Sequence, residues 1–142
     1  MEPDKAAITR LPSQVRLARL GYALLASVFV ACVAAQVFLA GLGVFAGPEY
    51  WVRHTSFVHL FGWLPLLMIT LAFVGRLPRG LRFLPAGLLG LIAMQYATAN
   101  SYETVVAALH PVNALAIFLV AIIITRRAWR NVAFLENRKP GG

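Results

Sequence analysis

The chain has 142 residues, of which 60% are hydrophobic and only 13% charged, and it carries a formal net charge of +8. A water-soluble domain of this size has nowhere to put so much apolar surface, so the composition excludes the ordinary soluble classes and points to an integral membrane protein. A single cysteine, Cys32, excludes both a disulfide framework and a CxxC site.

Four apolar stretches follow one another, at about 17–45, 51–74, 81–99 and 105–125. Each supplies the ~20 residues that cross ~30 Å of hydrocarbon at ~1.5 Å per residue. The expected fold is all-α: a single domain over 1–142, built as an up-down-up-down four-helix transmembrane bundle, with 131–142 as a flexible tail. The chain opens with Met1-Glu2-Pro3-Asp4 rather than a basic segment. Its first apolar run also far exceeds the ~7–15 residues of a signal-peptide core, so it reads as a retained span.

Charge sets the expected orientation. Lys5, Arg10, Arg16 and Arg19 precede the first span; Arg76, Arg79 and Arg82 bracket the middle connection; Arg126, Arg127, Arg130, Arg138 and Lys139 follow the fourth. Only Arg53 falls elsewhere. By the positive-inside rule both termini and the middle connection are cytoplasmic. These cations suit anionic headgroups, and no nucleic-acid motif accompanies them, so the bilayer is the expected partner and nucleic acid is not.

Two histidines, His59 and His110, fall well inside the apolar stretches, where an ionisable side chain is costly without a partner or a task. Gly47-Pro48 offers a start for the second span, and Asn100 with Glu103 resembles a capping box opening the fourth. Counted from those starts, His59 lies ~16 Å and His110 ~15 Å along their helices, with Gln36 ~15 Å from the outer end of the first. Thr55, Ser56, Gly62 and Trp63 flank His59, while Ala107, Asn113 and Ala114 flank His110. Cys32 and Ala40 lie beside Gln36. Such small residues serve helix packing, and Gln36, Gln95 or Asn113 taken singly serves as an interhelical hydrogen bond.

Together they suggest a site. The second and fourth spans are diagonal in such a bundle, so two inward imidazoles could meet a haem iron from opposite faces. The expectation is haem b with His59 and His110 as its metal ligands, lined by Gln36, Gln95, Asn113 and Gly62. Each histidine would pass its other ring proton to a carbonyl or polar side chain. Pro65 and Pro111 free the carbonyls of Phe61 and Ala107 for that role. His54 is rotated ~140° from His59 and is expected to be interfacial, in a belt with Tyr50, Trp51 and Tyr102.

The segment Gln36-Val37-Phe38-Leu39-Ala40-Gly41-Leu42-Gly43 resembles the first-helix signature of an uncharacterised bacterial family of four-span membrane proteins, the domain of unknown function numbered 6220. His59-Leu60-Phe61-Gly62-Trp63, Gln95 and His110-Pro111-Val112-Asn113-Ala114-Leu115 resemble its later helices, so the likeness runs from about Gly21 to Arg127. That resemblance implies a bacterial cytoplasmic membrane and no particular activity. More distantly the arrangement is similar to one half of haem A synthase and to four-helix b-type cytochromes, which implies haem ligation by His59 and His110. No acidic residue stands near His59 and there is one four-helix unit, so haem hydroxylation is not implied.

Three functions follow as expectations. One is a b-type membrane cytochrome exchanging electrons with a quinol or an extracytoplasmic redox protein. Another is a protein in which the same histidines hold a quinone, a copper or zinc ion, or a proton. Two nitrogens are few for zinc, and the spans contain no Asp or Glu to carry protons. The last is a structural or assembly subunit of a larger complex or oligomer. No nucleophile, base and oxyanion set of the hydrolase kind is present.

Overall fold

A computed structural model describes residues 11–101 and 104–136, with side chains as far as 133, and every element among them is helical. In chain order these are α1 (Ser13–Phe45), α2 (Glu49–Phe61), α3 (Leu64–Val74), α4 (Arg79–Ala99), a 3-10 turn (Val105–Ala108) and α5 (Leu109–Glu136).

The breaks have local causes. Pro65 has no N–H for the carbonyl of Phe61, so the second apolar stretch divides at Gly62-Trp63 and restarts as α3 with proline in its first turn. The N–H of Gly62 bonds the carbonyl of Val58 at 2.8 Å and that of Leu66 bonds Trp63 at 3.0 Å, which carries the backbone through the break. At the end of α3, Arg76 takes a left-handed φ of 47°. Its N–H and that of Leu77 turn back to Phe73 and Ala72, closing the helix. Arg19 finishes the cap by donating to the carbonyls of Gly75 at 2.7 Å and Arg76 at 3.3 Å.

Three helical stretches, Ser13–Phe45, Glu49–Val74 and Val105–Ala133, are long and apolar enough to cross a membrane. The fourth, α4, has 21 residues and comparable reach, but Arg82, Pro85 and Gln95 make it less apolar. Two boundaries differ from expectation. Helix α5 continues to Glu136, so 131–136 extend a helix, while 137–142 lie outside the described residues. Asn100 does not open the fourth span: it closes α4, its N–H bonding the carbonyl of Tyr96 at 3.2 Å. Glu103, the other half of the expected capping box, and Tyr102 also lie outside the described residues.

Helix α1 packs on α2, α3 and α5, and α4 packs on α3 and α5. That closes a ring in which α2 and α5 stand diagonally. At one end the bonds from Arg19 to Gly75 and Tyr22 to the carbonyl of Leu81 (2.8 Å) gather the start of α1, the α3–α4 turn and the start of α4. Trp129 joins them there by donating to Ser27 Oγ at 3.0 Å. This is the arginine end. The core between is apolar and close-packed, with Tyr22, Phe29, Met68, Leu88 and Ile124 almost wholly enclosed. Phe29 meets Phe61 edge to face, with ring centroids 5.7 Å apart. Phe29→Ala is expected to cost about 3 kcal/mol, because the cavity forfeits dispersion contacts that lipid cannot replace. Reversible unfolding in mixed micelles measures it.

Candidate cofactor-binding site

Each helix buries a stripe at three- and four-residue spacing, and towards the end opposite the arginines every stripe turns polar. On α1 it runs Ala26, Phe29, Val33 and then Gln36; on α4, Leu88, Ile92 and then Gln95. On α5, read backwards, Ile117 gives way to Asn113 and His110. On α3 and α2, also read backwards, Ala72, Met68, Pro65 and Phe61 lead through Val58 to His54. The histidine on the buried stripe of α2 is therefore His54.

The polar residues pair in two matching clamps. Gln36 Nε2 donates to the main-chain oxygen of His54 at 2.8 Å, and His54 Nδ1 meets the main-chain oxygen of Gln36 at 3.0 Å. Gln95 Nε2 donates to the main-chain oxygen of His110 at 3.1 Å, and His110 Nδ1 meets the main-chain oxygen of Gln95 at 3.1 Å. The same exchange thus joins α1 to α2 and α4 to α5.

These bonds fix the imidazole tautomers. A carbonyl oxygen only accepts, so Nδ1 carries a proton in both rings, and in the neutral form of each ring Nε2 keeps its lone pair. Thr98 Oγ1, 3.1 Å from His110 Nδ1, hydrogen-bonds back to the carbonyls of Met94 and Gln95 and so accepts from the ring as well. The carbonyls used belong to Gln36 and Gln95 on the adjoining helices, in place of the proline-freed carbonyls of Phe61 and Ala107.

Asn113 extends the second clamp. Its Nδ2 donates to the carbonyl of Leu91 at 2.8 Å and to Gln95 Oε1. These donations fix the amide orientations and leave Gln36 Oε1 and Asn113 Oδ1 buried without a partner. Two orphaned buried acceptors are costly in a packed bundle. They mark where the protein alone does not complete its hydrogen bonding. Trp51 closes the site on the α1–α2 side: its ring meets His54 edge-on at 5.7 Å and rests against Gly43. A Cβ on Gly43 would come within 2.7 Å of that indole, so glycine permits the approach.

His59 has a different setting. It is exposed, not set opposite His110, and its Nδ1 lies 3.2 Å from the hydroxyl of Tyr96. The two rings stack with centroids 5.5 Å apart. Gly62, expected to line the cofactor, lies beside this pair, its position 3.7 Å from the Tyr96 hydroxyl. The structure therefore pairs Gln36 with His54 and groups Gln95 with His110 and Asn113, and it sets His59 and Gly62 beside Tyr96 instead. His54, expected at the interface with Trp51, meets that ring edge-on and also lies on the buried stripe of α2, bonded to Gln36. Among the described residues no three His, Cys, Asp or Glu side chains gather as a ligand set for a metal ion.

Residues 36–101 match the family of unknown function DUF6220. The matched stretch begins at Gln36 and includes His54, His59 and Gln95, while His110, Asn113 and the segment to Leu115 lie beyond it. No curated protein and no solved structure matches the chain, so the likeness to haem A synthase gains nothing from them.

Proposed function

We propose that the protein is a b-type haem protein of the bacterial cytoplasmic membrane, in which His54 and His110 ligate one haem. The observation that carries this reading is the pair of clamps: on diagonal helices, two imidazoles have Nδ1 committed to a carbonyl and Nε2 free. Neutral imidazole nitrogens of this kind are haem-iron ligands, and the carbonyl bonded to the opposite ring nitrogen would orient each of them. When bound, the haem supplies single-electron exchange. Gln36 and Gln95 hold the two histidines to the neighbouring helices, and Gln36 Oε1 and Asn113 Oδ1, buried without a partner, would be the acceptors open to a donor on the bound group. Trp51 shields His54 from solvent.

In this reading the chain crosses the bilayer four times with both termini cytoplasmic, because the cations gather at the arginine end. The haem then lies in the extracytoplasmic half. It would exchange electrons with a quinol or an extracytoplasmic redox protein. One haem in one half does not relay charge across the membrane, so transmembrane transfer needs another subunit.

The test is the absorption spectrum of protein purified from haem-supplied cells, oxidised and then reduced. A Soret band with sharp reduced α and β bands supports the proposal, and a colourless protein overturns it. The second outcome would favour a structural subunit. For that reading the supporting observation is that both clamps and the Asn113–Gln95 bond join neighbouring helices.

A further inference from the structure

The cations of the arginine end divide by what they hold. Arg19 caps the α3–α4 turn, and Arg82 donates through Nε to the carbonyl of Leu77 at 2.5 Å while its guanidinium lies over the ring of Phe73. Arg127 and Arg130 instead line a cleft of about 520 Å³ between the start of α4 and the last turns of α5, with Pro78, Gly80, Leu81 and Asn131. Arg127 reaches the first turn of α4 itself: a Cβ on Gly80 would lie 3.6 Å from its Nη1.

That approach sets positive against positive. Pro78 precedes α4 without a side-chain cap, and the first main-chain bond into the helix runs from the N–H of Arg82 to the carbonyl of Pro78 at 3.2 Å. The N–H groups of Arg79, Gly80 and Leu81 thus lack a main-chain acceptor among the described residues, and they form the positive end of the helix dipole. A guanidinium placed there is repelled unless an anion stands between. Among the described side chains the one carboxylate is that of Glu49, at the opposite end of the bundle. Donors remain to meet an anion. Arg130 commits only Nε, to the carbonyl of Arg126 at 3.4 Å, and Asn131 Nδ2 commits one hydrogen to the carbonyl of Arg127 at 2.8 Å and keeps its second.

We propose that this cleft binds the phosphate of an anionic phospholipid headgroup. Two guanidinium groups, an amide and an uncapped helix start are the donors that phosphate oxygens accept. Position selects a lipid over a soluble anion. Helix α5 carries no Asp, Glu, Lys or Arg from Leu109 to Thr125 and turns cationic at Arg126, so the cleft begins where the hydrocarbon ends, at the plane of the headgroup phosphates. Pro78 and Leu81 add apolar surface for the glycerol backbone. The inference rests on the chain lying in a bilayer and not on the haem, whose proposed ligands stand towards the other end.

The experiment is native mass spectrometry of the full chain in micelles, titrated with dioctanoyl phosphatidylglycerol. About 0.2 M ammonium acetate screens charges that lie more than a Debye length away. One molecule per chain is expected to bind saturably, and about tenfold tighter than dioctanoyl phosphatidylcholine, whose choline sets its own cation against the arginines. Arg127→Gln and Arg130→Gln are each expected to weaken binding about fivefold. Gly80→Leu keeps every charge but fills the cleft, and is expected to weaken it too. Arg126→Gln removes the same charge from the same end outside the cleft and is expected to stay within about twofold of the parent. All four positions are exposed, so the fold is expected to survive each change. Equal losses for Arg126→Gln and Arg127→Gln, or equal binding of the two lipids, would reveal a diffuse surface field and overturn the inference. Displacement of the lipid by an equal concentration of inorganic phosphate would overturn the choice of lipid as the source.

Discussion

His54→Ala and His110→Ala are each expected to abolish the low-spin haem spectrum of the purified protein, whereas His59→Ala is expected to retain it. Both lost side chains take an Nε2 ligand with them, and no third imidazole is held on the site: His59 lies on another face, bonded to Tyr96. The fold is expected to survive each change. The bonds from Gln36 and Gln95 run to main-chain oxygens of His54 and His110, which alanine keeps. The ring-to-carbonyl bond disappears, with the contact to Thr98 Oγ1 as well in the case of His110, a loss of about 1–2 kcal/mol. Far-ultraviolet circular dichroism and size-exclusion profiles should therefore match the parent while the Soret band is lost or shifts to a high-spin form. If His59→Ala bleached the protein and His54→Ala did not, the ligand pair named here would be wrong.

The choice between His54 and His59 shows where the sequence is legible and where it is not. Apolar run length locates the helices, because spanning hydrocarbon demands a minimum number of residues whatever their packing. Helix starts are harder to place. Counting the fourth span from Asn100 puts His110 ten residues in and matches it to His59, ten residues after Glu49. In the structure Asn100 ends α4, and helix resumes only at Val105. His110 is then five residues in, as His54 is from Glu49. A five-residue error in one boundary equals the separation of the two histidines, so it exchanges one for the other.

Facing direction misleads for a related reason. In water, polarity separates the outside of a helix from its inside, but lipid and core are equally apolar, so that contrast is lost. Small neighbours such as Ser56 and Gly62 suggest an inward face for His59, yet Ser56 and His59 are both exposed. The better signal is the heptad-like stripe Ala72, Met68, Pro65, Phe61, Val58, His54, anchored where burial is unambiguous and followed outward. Gln36, Gln95 and Asn113 are legible from composition alone, since amides inside spans need partners. Their partners are not: a sequence does not show that Gln36 and Gln95 each exchange bonds with a histidine on the next helix.

Gln95→Glu is expected to destabilise the bundle far more than Gln95→Leu, although glutamate is the closer isostere. The amide nitrogen of Gln95 donates to the main-chain oxygen of His110, and its oxygen accepts from Asn113. Leucine loses both bonds but brings no charge. Asn113 Nδ2 still reaches the carbonyl of Leu91, and the His110 ring still donates to the main-chain oxygen at 95. About 1–2 kcal/mol is the expected cost, that of unmade hydrogen bonds at a half-buried site. Glutamate keeps the acceptor and replaces the donor with a second oxygen, aimed at the carbonyl of His110. An ionised carboxylate there would have no cation to meet and would cost about 3 kcal/mol or more. Unfolding of both variants in mixed micelles at neutral pH separates the cases. The matched clamp at Gln36, whose Nε2 donates to His54 in the same way, is expected to give the same order for Gln36→Glu and Gln36→Leu. Equal losses for glutamate and leucine at either position would mean that the donated bond to the histidine carbonyl is not made.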